Sequence, residues 1–571
     1  MKRAISQLSE KVYDVAIVGG GIYGAWIAWD SALRGLRVVL VDQGDFGNAT
    51  SANSQRIIHG GLRYLQHADF TRMRESIRER SILMRVAPHL VRPMPFLLPF
   101  YGSGIWPKFL LATALKLNDI IAWDRNRSLP PDKLIPSCRM ISSTECLDLC
   151  PELPRKGLSG AALFFDGYAH NPDRLTLSIL LSASKAGADL ANYVRVTGFL
   201  RTSNSVTGFR AKDLLSQDIL ELQARIVINC TGPWVNDFLS LLGDPSHKQM
   251  VTFSKAVVLI TRPLFRDLAV GFPSRNCYTD DDAVINKGSR FLFITPGPNV
   301  SLIGTYHSSY EAPPDAFRVT EEDIVNFLQE INLAYPAAEL NRRDVHFTLG
   351  GLIPTINGPS TPHHVQYLKR YTILDHEERG GIRGLISVNG VKYTTARHIA
   401  EKTVDLALKK LARAPVDCHT HVVPVYGGSM VNFDEFLAQQ TTRPSPPVNP
   451  DTIRHLVETY GTEYQQVLKY CHADPAWGQH VTSTSPVIRA EILHAIRDEM
   501  AQRLSDVLLR RTRLATTADS GKDWVQTSAG IMGAALGWDA QRTSYELQDL
   551  GASCSIPGVL SCRSQIATSA F

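Results

Sequence analysis

The chain has no stretch of about twenty unbroken apolar residues, the length a membrane-spanning helix needs. Its most apolar region, residues 94–123, is interrupted by Pro95, Pro99, Gly102, Gly104, Pro107, Lys108 and Lys116. A spanning helix is therefore excluded. Cysteine signatures are missing too: nine cysteines, an odd number, are scattered without C-x-x-C or Cys/His ligand spacing. That argues against a disulfide framework or a metal centre and predicts reduced, mostly buried thiols. The imbalance of charge is slight, 60 basic against 55 acidic residues for a net +5, and too evenly spread for a nucleic-acid surface. A small anionic partner remains compatible. After Met1-Lys2-Arg3 comes neither an apolar core nor a cleavage site, so no secretory signal is expected and the predicted location is cytoplasmic.

What is present is an ordinary globular composition, 44% hydrophobic and 20% charged over 571 residues, long enough for roughly two to four domains. The organising stretch is 15–42. Val15, Ala16, Ile17 and Val18 make a short apolar strand, Gly19, Gly21 and Gly24 follow as G-x-G-x-x-G, and Ile22, Ala25, Ile27, Ala28 and Leu33 continue at helical spacing. A second apolar strand, residues 38–41, ends at Asp42. Strand, glycine turn, helix, strand and acid form the dinucleotide fingerprint. The glycines let the backbone approach a pyrophosphate at the helix N-terminus, and the acid hydrogen-bonds ribose hydroxyls. The pattern fits FAD and NAD equally.

Two later strands repeat the theme. Residues 225–228 run into Asn229-Cys230-Thr231-Gly232, and residues 385–388 into Asn389-Gly390-Val391-Lys392-Tyr393-Thr394 and a helix. A third helix N-terminus can stabilise the negative charge of a reduced flavin ring, and an NAD-only domain has no need of it. The balance therefore tips to FAD. Between these junctions lies a polar loop with Thr50, Ser51 and Arg56, then Ile58-His59-Gly60-Gly61-Leu62-Arg63-Tyr64. Its paired glycines allow close approach to a ligand, with cationic groups alongside.

The predicted fold is α/β: a Rossmann-like FAD-binding domain, an antiparallel-sheet substrate domain and a C-terminal helical domain. The first two share residues 1–420, with the nucleotide part discontinuous over 12–95, 155–250 and 375–415 and the substrate part mainly 96–154 and 251–374. A linker at 421–450 leads to helices over 451–555. One of these, predicted over 486–509, ends in Arg510-Arg511-Thr512-Arg513, read as complementing the helix dipole. The apolar, lysine-flanked residues 109–123 read as a buried helix, with a peripheral helix at the inner face of a membrane as the alternative.

These motifs resemble the FAD-dependent glycerol-3-phosphate dehydrogenases, within the D-amino-acid-oxidase-like flavoproteins, over most of the chain. The resemblance rests on residues 19–42, 50–64, 229–234, 390–395 and 506–514. It implies FAD held by Gly19, Gly21, Ile22, Gly24, Asp42, Thr50, Ser51, Arg56, His59, Gly60, Gly61, Thr231, Gly232, Gly390, Lys392, Tyr393 and Thr394. It also implies oxidation of a phosphorylated polyol by hydride transfer to flavin N5, with quinone or oxygen as acceptor. Arg63, Tyr64, Thr305, Arg370 and Lys392 match substrate contacts. Two departures stand out: Ile353 replaces an arginine, and Ala256 replaces a histidine. His59, His307 and Lys392 are then the candidates to take the hydroxyl proton. A flavin oxidase for an amine or hydroxy acid, and a flavin-binding protein without turnover, remain open alternatives, as do acceptor and oligomeric state.

Overall fold

A computed structural model of the chain describes residues 1–102, 105–243, 251–275, 290–355, 368, 370–443, 447–516 and 523–554. Its first sheet is built on the strand Val12–Val18, buried from Tyr13 onward, as a central parallel strand must be. Across the sheet the order is Thr372–Asp375, Leu385–Asn389, Ile219–Asn229, Val12–Val18, Val38–Val41 and Asp189–Ala191, with the hairpin of Val194–Thr202 and Ser205–Asp213 attached to Ile219–Asn229. Val18 pairs in parallel with Asn229 on one side and Val41 on the other, and Asn229 with Ser387. The strands that matter therefore end on the same edge. The helices Ile22–Leu33, Pro172–Lys185 and Ala396–Lys410 pack on the sheet, sharing a core that includes Trp26, Trp29, Ile179, Leu180 and Val404.

The second sheet runs Val345–Thr355, Thr252–Thr261, Val300–Tyr310, Phe291–Gly297, Ala269–Pro273, Val91–Tyr101, Leu158–Ala169 and Ile57–Ile58, with Arg139–Ile141 beside Leu158–Ala169. Its pairings are antiparallel except that of Ala269–Pro273 with Val91–Tyr101. The helix Glu321–Ala334, closed at its N-terminus by the Thr320/Asp323 capping box, covers one face through Ile324, Phe327 and Ile331.

Four local expectations are corrected. Leu158–Ala169 and Val91–Tyr101 belong largely to segments assigned to the nucleotide domain, yet they pair with each other in the second sheet. Pro93, Pro95 and Pro99 look like breakers, but they share one parity, so their missing N–H groups all point to one edge and leave the other free for the ladder. In the expected linker, Phe433–Thr442 is a helix capped by Asn432; positions 444–446 lie outside the described residues. So do 276–289 and 356–367 of the substrate segments. The helix expected over 486–509 stops at Glu499, where Met500 takes the left-handed conformation, and a wider π-type turn forms at Asp506–Arg511. The carboxylate of Asp506 accepts from the amides of Gln502 and Arg503 and closes that break.

The helix Ile105–Ile121 is the fourth. Leu115 is buried, but Phe109, Leu110, Leu117 and Ile120 are exposed, Ile120 at 69% and nearby Trp123 at 75%. It is not the ordinary buried helix that amphipathicity alone suggests. Among the described residues no helix is long and apolar enough to cross a membrane.

Candidate functional site

The parallel register brings the three glycine junctions together. Gly19 after Val18, residues 230–232 after Asn229, Gly390 after Asn389 and Asp42 after Val41 all line one cavity of about 1240 Å³. Pockets for one compact ligand usually occupy about 300–1,000 Å³, so this one has room for a dinucleotide and a second small molecule. Asp42 accepts from the amides of Gly20 (2.6 Å) and Gly44 (2.8 Å). Burial raises its pKa to about 6 against the pull of those two amides. The helix Ile22–Leu33 opens at Gly21 without a side-chain cap. The Ile22 amide donates to Ser51 Oγ (3.0 Å), and Gly21, Ile22 and Tyr23 face the cavity, where the helix dipole favours an anion.

Two glycines are required by close approach. A Cβ at Gly24 would lie 1.9 Å from the Gly19 carbonyl oxygen; Gly24 packs helix against turn and does not line the cavity. A Cβ at Gly390 would lie 2.1 Å from the Tyr23 hydroxyl. That hydroxyl donates to the Lys392 carbonyl (2.8 Å) and accepts from its amide (3.1 Å), stitching the first junction to the third. Beyond it Tyr393 donates to the Pro172 carbonyl (2.9 Å).

The histidine-glycine-glycine loop is held from behind. Asp166 accepts from the Gly60 amide (2.6 Å) and from Arg80 (2.5 Å), so Gly60 faces away from the cavity while His59 and Gly61 line it. His59 meets the Tyr64 ring edge-on at 5.7 Å. Lys392 Nζ lies 4.1 Å and the Arg72 guanidinium 4.4 Å from the centre of the same ring. Burial, then Arg72, lowers Lys392 to about 7. Burial, with Lys392, Arg80 and Arg63 near, lowers His59 to about 3. Arg63 lines the cavity from an exposed position and forms no ion pair among the described residues.

The second sheet supplies the opposite wall with Thr305, His307, Ala256, Gly351 and Ile353. Ala256 stands between His307 and Gly351 on the neighbouring strands. An imidazole thus faces the cavity one strand from the alanine. Burial, then Arg290 and Arg63, lowers His307 to about 3. Thr50 ties the two walls by donating to the Leu352 carbonyl (3.1 Å). Ser51, Arg56, Thr231, Gly232 and Thr394 line the cavity. Arg370 does not: its side chain is 73% exposed, 3.7 Å from Asp69.

Residues 14–406 match the model of the FAD dependent oxidoreductase family, and residues 418–543 that of the C-terminal domain of alpha-glycerophosphate oxidase. A glycerol-3-phosphate dehydrogenase of Synechocystis sp. is 32% identical over 562 residues, 96% of this chain and 97% of that one. The chain belongs to the family of FAD-dependent glycerol-3-phosphate dehydrogenases. Within that family, an aerobic glycerol-3-phosphate dehydrogenase of Staphylococcus epidermidis is 29% identical over 515 residues, 88% of this chain and 87% of the relative. The X-ray structure of the glycerol-3-phosphate dehydrogenase from Bacillus halodurans complexed with FAD aligns with a TM-score of 0.74 at 25% identity, over 96% of each chain.

The residues present suit the cofactor. A buried acid stands at the second strand, a helix N-terminus that opens at Gly21 faces the cavity beside a glycine turn, and two further junctions share the same cavity. FAD is therefore the cofactor of this oxidoreductase. Sequence reasoning missed Arg72, Tyr23, Gln55 and Arg290, all of which line the cavity. Arg72 looked like one of several arginines on a charged helix, and its placement depends on Asp69, which caps that helix by accepting from the Arg72 amide (3.0 Å). Gln55, which donates to the carbonyls of Phe293 (2.8 Å) and Gly304 (3.2 Å), had no local signal at all.

Proposed function

We propose that the protein oxidises glycerol 3-phosphate, or a closely related phosphorylated polyol, to the keto phosphate. The observation that carries this reading is the cluster of Arg63, Arg72 and Lys392 around Tyr64, beside the third glycine junction. Arg63 has no ion pair among the described residues, and Arg72 shares Asp69 with Arg370, so guanidinium donors are left there for a phosphate dianion. FAD, when bound, supplies the hydride acceptor at N5.

The chain's own residues then orient the polyol and take its hydroxyl proton. Arg63, without an ion pair among the described residues, grips the phosphate, with Tyr64 and Thr305 bounding the site. Lys392 is the proton acceptor we favour, because near pH 7 a substantial fraction of its amine is uncharged. His59 and His307, both neutral at that pH, are the remaining acceptors, and His307 offers an imidazole beside Ala256. Arg370 acts at a distance through Asp69, which also lies 3.5 Å from Arg72.

The electron acceptor we infer is a quinone, reached at a membrane surface. Phe96, Phe164, Phe291 and Phe293 line the same cavity, as do Leu110 and Leu111 of the helix Ile105–Ile121. The outward face of that helix carries the exposed Phe109 and Ile120, as a helix resting in a lipid interface does. The deciding experiment is anaerobic flavin bleaching. Glycerol 3-phosphate should bleach the yellow protein, and glycerol, amines and 2-hydroxy acids should not. Bleaching by an amine or hydroxy acid alone would replace this reading.

A further inference from the structure

The basic end of the C-terminal helices does not serve a helix dipole. Arg511 makes a bidentate pair with Asp45, donating Nη1 at 2.8 Å and Nη2 at 2.9 Å, and Arg510 Nε donates to the same carboxylate at 2.6 Å. Asp45 is fully buried and follows Asp42 by three residues in the loop that ends the second strand. Its cations come from more than 460 positions away in the chain. Burial alone would raise the Asp45 carboxyl, but Arg511 and Arg510 hold it below the usual carboxylate range.

Further hydrogen bonds converge on this loop. Tyr193 donates its amide to the Gly44 carbonyl (3.0 Å) and its hydroxyl to Asp506 (2.6 Å), which also accepts from Arg510 (2.6 Å). Asn192 donates to both Asp45 (3.2 Å) and the Met500 carbonyl (2.9 Å). Gly44 in turn donates to Asp42 (2.8 Å). A short polar chain therefore joins the C-terminal turn to the acid at the ribose position. A second attachment lies beyond it. Arg513 donates to the His170 carbonyl (2.7 Å), the oxygen that Arg56, a cavity-lining residue, approaches at 3.4 Å.

We propose that the C-terminal helical region is a cofactor clamp, in which Arg510 and Arg511 are positioning residues that hold the Asp42 loop against FAD through Asp45. Removing them leaves a buried carboxylate without its cations, a state the loop escapes by opening toward water. Coupling between two sites is reciprocal. FAD must therefore tighten the C-terminal turn as much as the turn tightens FAD.

The test uses the full-length protein, stripped of FAD and reloaded. Arg511→Met should raise the FAD dissociation constant by about tenfold or more, the loss expected for one charge-assisted hydrogen bond. It should also shrink the difference in Tm between loaded and stripped protein, with KM for substrate unchanged in protein saturated with FAD. Asp45→Asn keeps the size of the side chain, but it removes the charge and sets an amide donor against the arginine donors, and it should show a shift of the same kind. In the unaltered chain, adding FAD should slow amide exchange over residues 500–513. Equal loss of stability with and without FAD in both variants, at an FAD affinity within about twofold of the parent, would make these arginines a brace and overturn the clamp. Unchanged exchange on adding FAD to the unaltered chain would overturn it without any variant having to fold.

Discussion

Lys392 is surrounded by Arg72 and Arg63, with Glu75 and Asp69 opposing them, and burial brings its amine to about 7. The uncharged amine is the form that accepts a proton. The rate set by the free enzyme, kcat/KM, should therefore rise as pH climbs through about 7 and level off above it. Lys392→Met should remove that rise and lower kcat/KM by about 10²–10⁴-fold, the usual contribution of a general base, while the visible flavin spectrum stays. Arg63→Ala should keep the flavin too and weaken reduction by glycerol 3-phosphate. The loss should be about 1.5–3 kcal/mol in kcat/KM, as for a hydrogen bond to a charged group, and a titration of initial rates against substrate measures it. Gly24→Ala forces a methyl against the Gly19 carbonyl and should destabilise the fold by about 1–3 kcal/mol, read as a lowered midpoint in urea. Much at this scale was legible in sequence, because glycines beside strand ends announce backbone approach. Arg72 and Gln55 were not, since their roles depend on which strand or helix lies opposite.

At the scale of elements, the helix Ile105–Ile121 turns an apolar face outward. Its periodicity was visible in sequence, but which side met the core was not, because the same stripe suits a buried or a surface-seated helix. If it rests on lipid, the protein should co-sediment with phospholipid vesicles. Replacing Phe109 and Ile120 together by serine should release it, with glycerol 3-phosphate still bleaching the flavin. Binding unchanged by the double variant would remove this helix from the interface. The paired strands Val91–Tyr101 and Leu158–Ala169 escaped assignment for a related reason. Three prolines read as interruptions until their common parity is set against the long pairing with Leu158–Ala169. The C-terminal arginines were seen and given a local role; Asp45, their real partner, stood too far along the chain for spacing to suggest it.

For the whole molecule, the two-sheet plan followed from the pattern of strands, whereas the boundary between sheets did not, because the chain crosses from one to the other several times. The central strands of the first sheet, Val12–Val18, Ile219–Asn229 and Leu385–Asn389, are neighbours in space and hundreds of residues apart in sequence. That spacing has a consequence for how the molecule is made. A ribosome adding about 5–20 residues per second needs about 20–80 s to reach the last of those strands, and until then the flavin has no complete seat. Nascent chains arrested before residue 385 should emerge colourless however much FAD is supplied, and loading should begin only in chains long enough to release that strand from the exit tunnel.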